Sequence, residues 1–213
     1  RQQVTEYLAW QAAIVREYAQ PHQFVTHNFD FEWRGYSYGV QPRVDHFAAA
    51  QALDIAGVDI YHPSQAHLTG REIAFGGAIT RSLKPGQNYF VLETQAQGFA
   101  QWTPFPGQLR LQASSHIASG AAMVSYWHWH SIHNAFETYW KGLLSHDFSR
   151  NPTWQEATTI GADTGRYEVI GPIFRQLSER QRCTGLVHGF IDDSSLNSLG
   201  SRIVGKFSFD RVA

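Results

Sequence analysis

Stretches of apolar, β-prone residues alternate with helix-like stretches along most of this 213-residue chain, and this alternation constrains its fold most strongly. The strand-like stretches are residues 21–28, 55–63, 88–94 and 121–130, and helix-like stretches cover 2–19, 43–53, 69–83, 107–120 and a region near 153–165. The strand interiors are almost continuously apolar, as is typical of parallel strands that are buried on both faces. The alternation therefore predicts a parallel sheet built from βα units.

Polar and aromatic side chains cluster where the predicted strands end. They are Asn28, Asp30, Asp59, Tyr61, Glu93, Trp127, His128 and His130. The carboxyl ends of the strands carry the active site in a (β/α)8 barrel, and in a doubly wound sheet they carry it at one switch point. No glycine-rich phosphate loop follows the first strand. We therefore predict a (β/α)8 barrel, of which four βα units form one half.

Composition excludes several classes of protein. With 43% hydrophobic and 16% charged residues, the chain can form a packed core. A net charge of −1 gives no basic surface for nucleic acid or an anionic membrane. The single cysteine, Cys183, excludes a disulfide framework within the chain and a cysteine-rich zinc cluster, and it favours the cytoplasm. No apolar run is long enough for a membrane span.

The two ends of the chain suggest where its domains divide. The chain opens at Arg1 and its one methionine is Met123, so we expect it to lack an N-terminal part. Beyond about residue 165 the alternation weakens. We expect a partial catalytic barrel over 1–165, with a linker and the start of a second α/β domain, or an altered tail, over 166–213.

Glu93 is the first candidate for chemistry, since a carboxylate at the end of a buried strand is costly unless it is paired or functional. One interpretation is a salt bridge to Arg81 or Arg110. The other is a nucleophile or a general acid/base acting on a sugar or an ester. Asp59 and Tyr61 are interpreted mainly as polar groups that orient their neighbours.

Aromatic and histidine residues offer a second set of candidates. Trp102, Trp127 and Trp129 are suited either to stacking on sugar rings or to packing in the core. The segment "HWHSIH" has a spacing that suits a metal site at His128, His130 and His133, although packing and hydrogen-bonding roles are favoured.

Several longer motifs resemble glycoside hydrolase family 42, the bacterial β-galactosidases. They are "VTHNFDFEW", "LDIAGVDIYHP", "VLETQAQ", "QWTPFPGQLRLQA", "ASGAAMVSYWHWHS" and "FETYWKGLLSHD", and they occur in the family's order over roughly residues 4–165. The resemblance implies a (β/α)8 barrel that hydrolyses terminal β-D-galactosides such as lactose with retention. It also implies that Glu93, at the end of strand seven, is the nucleophile.

The resemblance numbers the four strands here five to eight. The family's acid/base is a Glu preceded by Asn on strand four, and no Asn-Glu dipeptide occurs in this sequence, so we expect that residue before Arg1. Trp102 matches the tryptophan that walls the galactose site, and Glu137 matches a glutamate that binds galactose hydroxyls. Trp140 stands where the family often has histidine. The resemblance further implies a cytoplasmic homotrimer without a cofactor.

Two alternatives remain. The first is a non-catalytic galactoside-binding or degenerate glycosidase, which the missing Asn-Glu favours for the chain by itself. The second is a metal-dependent barrel hydrolase that uses the three histidines of "HWHSIH".

Overall fold

A computed structural model describes residues 1–31, 43–62, 69–97, 103–127 and 129–163. Helices and strands alternate along these segments: α1 (Gln2–Tyr18), β1 (Thr26–Phe29), α2 (His46–Ala50), β2 (Ile55–Asp59), α3 (Arg71–Leu83), β3 (Tyr89–Gln95), α4 (Gln108–Ala118), β4 (Ala121–Trp127) and α5 (152–163). None of these helices has the length and apolar character that crossing a membrane requires.

The four strands form one sheet in which spatial order follows chain order, β1-β2-β3-β4. All three pairings are parallel. The predicted parallel α/β architecture is thus confirmed for the described residues. Because parallel strands that are neighbours end at the same edge, the polar residues that follow them are brought to one rim.

The core lies between the sheet and the helices that connect its strands. Val58 of β2 and Ile60, which directly follows this strand, are almost fully buried beside Tyr89 and Val91 of β3. Burying an apolar side chain of this size contributes about 1.5–3 kcal/mol, so this layer fixes which face of each strand the helices cover.

Two adjacent glycines let α3 approach the sheet closely. A Cβ atom at Gly76 would lie 2.8 Å from Cδ1 of Ile60, and one at Gly77 would lie 2.5 Å from the Tyr89 hydroxyl. These contacts explain why a helix-like stretch tolerates a Gly-Gly pair, which costs helix propensity.

Element boundaries differ from the prediction at several places. A turn between Gln20 and Gln23 delays β1 to Thr26. The helix α2 begins only after Asp45, whose side chain caps it by accepting from the Ala48 N–H. The predicted domain 166–213 lies outside the described residues.

The ends of β2 and β4 also correct the prediction. β2 ends at Asp59 rather than at residue 63, and β4 ends at Trp127 rather than at His130. Trp129 therefore does not share a strand face with Trp127. His130 instead forms an isolated parallel bridge with Leu144.

Candidate active site

The carboxyl ends of β1, β2 and β3 bring four polar side chains into contact. The hydroxyl of Tyr61 donates to Oε2 of Glu93 at 2.9 Å. The Asn28 amide donates to Oε1 of Glu93 at 3.2 Å and to Oδ2 of Asp59 at 2.9 Å. Both Glu93 oxygens thus accept a hydrogen bond, which fixes the orientation of the carboxylate. The strand-end clustering expected from the sequence is present for these residues.

A β-bulge turns Glu93 toward this cluster. Val58 pairs with Val91, but the next residue, Asp59, pairs with Glu93, so β3 contains one extra residue there. The pairing of β3 with β4 shifts between Val91 and Thr94 as well. Strict alternation would place Glu93 on the helix-covered face with Val91, whereas a bulge re-aims the side chain.

The interpretation of Glu93 as half of a salt bridge is wrong. Arg110 pairs instead with Asp163, with 2.6 Å between Nε and Oδ2. Arg81 donates to the backbone carbonyl of Ser119. Within the described segments no cation forms an ion pair with Glu93, so its position at a strand end is not explained by charge pairing.

Asp59 differs electrostatically from an ordinary surface carboxyl. Burial, together with the negative charge of Glu93, raises the pKa of Asp59 to about 7, and Asp30 adds a smaller effect in the same direction. The hydrogen bond from Asn28 opposes this shift. Oδ1 of Asp59 is buried and accepts no hydrogen bond from the described residues. The negative charge of Glu93 therefore disfavours ionisation of Asp59.

Gln95 continues the pairing of β2 and β3 past the bulge. Its amide accepts from the His62 N–H at 2.9 Å and donates to the His62 carbonyl at 3.0 Å. The side-chain amide of Gln95 thus makes the two hydrogen bonds that a neighbouring strand backbone would make with His62. These bonds fix the backbone that follows Tyr61. Gln95 was not among the residues predicted from sequence, although a polar run of Glu93, Thr94 and Gln95 at the end of an apolar strand is a signal for such a role.

Glu137 lies in a separate arrangement after β4. The indole N–H of Trp127 donates to Oε2 of Glu137 at 3.0 Å. The Trp140 N–H donates to the Glu137 carbonyl at 2.9 Å, closing the turn that holds both residues. No hydrogen bond among the described residues joins Glu137 to Glu93.

Gln97 connects the cluster around Glu93 to the turn that holds Glu137. Its amide donates to the Gly142 carbonyl at 2.7 Å, so the end of β3 is fixed to the loop that carries Glu137. Trp102, which the family resemblance assigns to the galactose site, lies outside the described residues.

The histidines after β4 make ring contacts with aromatic neighbours. The rings of His133 and His146 stack with centroids 5.7 Å apart, and both His130 and His133 pack against Phe148. No group of three metal-ligating side chains occurs in the part of the chain that the structure describes. His128 lies outside that part.

Chemically, the described site offers one carboxylate held by two neutral donors, with a second carboxyl beside it. Such a group suits attack on an electrophilic carbon, because its oxygens are oriented without the charge of a neighbouring cation. A sugar acetal is a substrate of that kind.

Sequence comparisons relate this chain to β-galactosidases. The model of glycoside hydrolase family 42, described as β-galactosidase, matches residues 1–166. A β-galactosidase of Thermus thermophilus is 31% identical over 181 residues, which is 76% of this chain and 26% of that protein. A β-galactosidase of an Arthrobacter species is 24% identical over 124 residues, covering 56% of this chain and 18% of that protein. The chain therefore spans about a quarter or less of these relatives.

Solved structures agree in fold. The β-galactosidase of the haloarchaeon Halorubrum lacusprofundi superposes with a TM-score of 0.61 at 27% identity, covering 74% of this chain and 25% of that one. The β-galactosidase of the psychrophilic Marinomonas ef1 gives a TM-score of 0.65 at 20% identity, covering 96% of this chain and 32% of that one.

Proposed function

Because the chain belongs to glycoside hydrolase family 42, the β-galactosidases, we propose that the whole protein is a retaining β-galactosidase. It hydrolyses terminal β-D-galactosides such as lactose, with Glu93 as the nucleophile. The observation that carries this proposal is the pair of donors on Glu93, from Asn28 and Tyr61. They hold the carboxylate in one orientation at the rim where barrel enzymes do their chemistry.

In the first step an oxygen of Glu93 bonds to the anomeric carbon while the bond to the departing oxygen breaks. The departing oxygen takes a proton from an acid on the opposite side of the sugar. In the second step the same group, now a base, removes a proton from water, and the water oxygen displaces Glu93. Two inversions at one carbon give net retention.

We propose that the acid/base, which is the second carboxyl group of this mechanism, is not among these 213 residues. Retention requires carboxyl groups about 5–5.5 Å apart on opposite sides of the anomeric carbon. Asp59 shares an amide donor with Glu93 and therefore lies on the same side. An Asn-Glu on strand four of the barrel fits the requirement, and the strands described here are then five to eight.

Glu137 and the tryptophans form the sugar-binding part of the proposal. Trp127 orients the Glu137 carboxylate, which leaves its other oxygen to accept from a galactose hydroxyl. Trp102 and Trp140 supply aromatic surface for the sugar ring. A homotrimeric assembly and a cytoplasmic location stay predictions of the family resemblance.

A non-catalytic galactoside-binding protein is the second candidate. The observation favouring it is the lack of an Asn-Glu dipeptide in this sequence. The two candidates differ in turnover, since a binding protein retains the galactoside without cleaving it.

The test is nucleophile replacement in the whole protein. We expect Glu93→Gln to lower kcat by more than about 10³-fold, as removal of a catalytic group typically does. The control is Glu17→Gln on the exposed face of α1, which should leave kcat unchanged.

Chemical rescue makes the test specific to a nucleophile. Glu93→Ala supplied with azide and an activated aryl β-galactoside should release α-galactosyl azide, because azide attacks from the side that Glu93 has vacated. If the wild type turns over but azide does not rescue Glu93→Ala, the assignment is contradicted. Near-normal turnover by Glu93→Gln would contradict it as well. Binding of lactose without hydrolysis by the wild type would favour the second candidate.

A further inference from the structure

A second carboxyl group accompanies the proposed nucleophile. Asp59 is the last residue of β2 and stands in register with Glu93 of β3. The amide nitrogen of Asn28 lies 2.9 Å from Oδ2 of Asp59 and 3.2 Å from Oε1 of Glu93. One amide carries two hydrogens and can serve both acceptors at once. The three side chains therefore form one unit across three strands.

The surroundings of Asp59 disfavour a charge on it. Its Oδ1 is buried and accepts no hydrogen bond from the described residues. A buried carboxylate oxygen without a donor is costly, and two neighbouring carboxyl groups resist ionising together. Burial and the charge of Glu93 raise the pKa of Asp59 to about 7.

The groups that face Asp59 come from each adjoining strand. β1 contributes the Asn28 amide and is followed by the carboxylate of Asp30, and β3 contributes Glu93. Tyr61, two residues further on, donates its hydroxyl to Glu93. No Lys or Arg of the described segments forms an ion pair with Asp59. Among the described residues no cation offsets the charge of this pair, so a proton on Asp59 serves that purpose.

We propose that Asp59 is a positioning residue that keeps the Asp59–Glu93 pair at one negative charge throughout the reaction. It holds a proton while Glu93 is ionised and releases that proton to solvent when Glu93 becomes the galactosyl ester. This inference rests on the proposed function.

The charges balance at each step. Forming the ester joins a Glu93 oxygen to the anomeric carbon and removes the charge of Glu93. The repulsion from Glu93 then no longer adds to burial in holding the proton on Asp59. Asp59 then carries the negative charge in the intermediate. When water displaces the sugar, Glu93 regains its charge and Asp59 takes a proton back from solvent. A constant negative charge favours the cationic character of both transition states.

The direct test is infrared titration of the protonated carboxyl group in the whole protein. We expect a band with a midpoint near pH 7 that is lost in Asp59→Asn. In Glu93→Gln, and in wild type trapped as a 2-fluorogalactosyl ester, the midpoint should fall by at least about one unit because the like charge is gone. Asp54→Asn changes a half-exposed carboxyl just before the start of β2, and it should leave the band in place.

Kinetics distinguish positioning of charge from a structural role. Below pH 7, Asn is an isostere of protonated Asp59, so Asp59→Asn should keep kcat/KM within about tenfold of wild type. The Asn side chain cannot carry the negative charge that Asp59 has during hydrolysis of the galactosyl ester. The ester should therefore accumulate, and kcat and KM should fall together. A structural role would instead lower kcat/KM and the melting temperature in parallel.

Two results would overturn the inference: a midpoint near that of an ordinary Asp, or one that ester formation leaves unchanged. The proposed function fails separately, by the absence of galactoside hydrolysis in the wild type. In that case a midpoint that falls in Glu93→Gln would still show that Glu93 and Asp59 interact, but it would not connect the pair to this reaction.

Discussion

Glu93 was identified from sequence because a charged residue at a strand end stands out against an apolar interior. Its donors were less predictable, since Asn28 and Tyr61 lie 65 and 32 residues away along the chain. Polar residues at other strand ends were visible, but their pairing depends on the register between strands. A single sequence does not contain that register, which is why the cluster required the structure.

Tyr61→Phe should lower kcat by about 10- to 100-fold, because a hydrogen bond to a charged group contributes about 1.5–3 kcal/mol. Steady-state hydrolysis of an aryl galactoside measures this. Tyr89→Phe is the control: Tyr89 lies on the same strand as Glu93, and its buried hydroxyl has no hydrogen-bond partner among the described residues. Equal losses in both variants would contradict a specific role for Tyr61.

His116 should make the protein sensitive to acid. It is fully buried, and burial, with the charge of His62 as a smaller cause, lowers its pKa to about 3. The folded state keeps His116 neutral, while the unfolded state binds a proton below about pH 6.5. Its contribution is therefore present above pH 6.5 and is lost as pH falls, by about 2 kcal/mol near pH 5.

His116→Leu should remove this part of the acid sensitivity. Neither ring nitrogen of His116 has a hydrogen-bond partner in the described residues, so the substitution discards no such bond. Urea unfolding at pH 7 and near pH 5 measures the difference. An unchanged pH dependence in the variant would show that His116 is protonated within the fold.

At the scale of elements, the existence and type of each helix and strand followed from sequence periodicity, while several ends did not. β4 was extended to His130 because aromatic and histidine residues continue its pattern, yet the chain after Trp127 pairs with Leu144 instead. The bulge at Glu93 was also invisible, because β-propensity is the same with or without an extra residue. Long-range pairing decides both features.

Gly57→Ala should destabilise β2 and distort the bulge. An added Cβ would lie 2.3 Å from Cδ1 of Leu92 and 2.8 Å from the His27 carbonyl oxygen. Leu92 can move, but the backbone oxygen of β1 cannot without breaking the sheet. We expect a loss of about 1–3 kcal/mol, typical of overpacking, together with lower activity as Leu92 shifts the neighbouring Glu93.

Gly161→Ala is the matched control for this change. Nothing lies within 4 Å of a Cβ at Gly161, which is in α5. Alanine in a helix interior is better than glycine by about 1 kcal/mol, so this variant should melt at a higher temperature. If both variants shift the melting temperature in the same direction, the clash at Gly57 is not the cause.

At the scale of the molecule, the parallel sheet was predicted from the alternation of strands and helices, and sequential strand order agrees with a barrel. A doubly wound sheet changes direction at a switch point. The family then followed from motifs in order, which a fold class alone does not supply. The numbering of the strands as five to eight stays a prediction, because it depends on units beyond the described sheet.

The 213-residue chain expressed by itself should fold poorly. Within the described segments, β1 and β4 each have a strand neighbour on one side only. Such unpaired edges promote association. The helix α1 also exposes Tyr7, Trp10 and Tyr18, at 58%, 57% and 78% of their surface. We therefore expect broad thermal unfolding and concentration-dependent association, measured by circular dichroism and gel filtration.

A charged substitution on α1 distinguishes two causes of poor folding and association, the unpaired strand edges and the exposed aromatic side chains of α1. Trp10→Lys should reduce association if the apolar helix face is responsible, because a scattered charge disfavours contact between such faces. It should not sharpen the melt, since the sheet edges remain unpaired. Adding the βα units that the proposed full barrel requires, in the same chain, should restore a cooperative transition. A sharp, concentration-independent melt of the 213-residue monomer would show instead that four βα units suffice for a stable core.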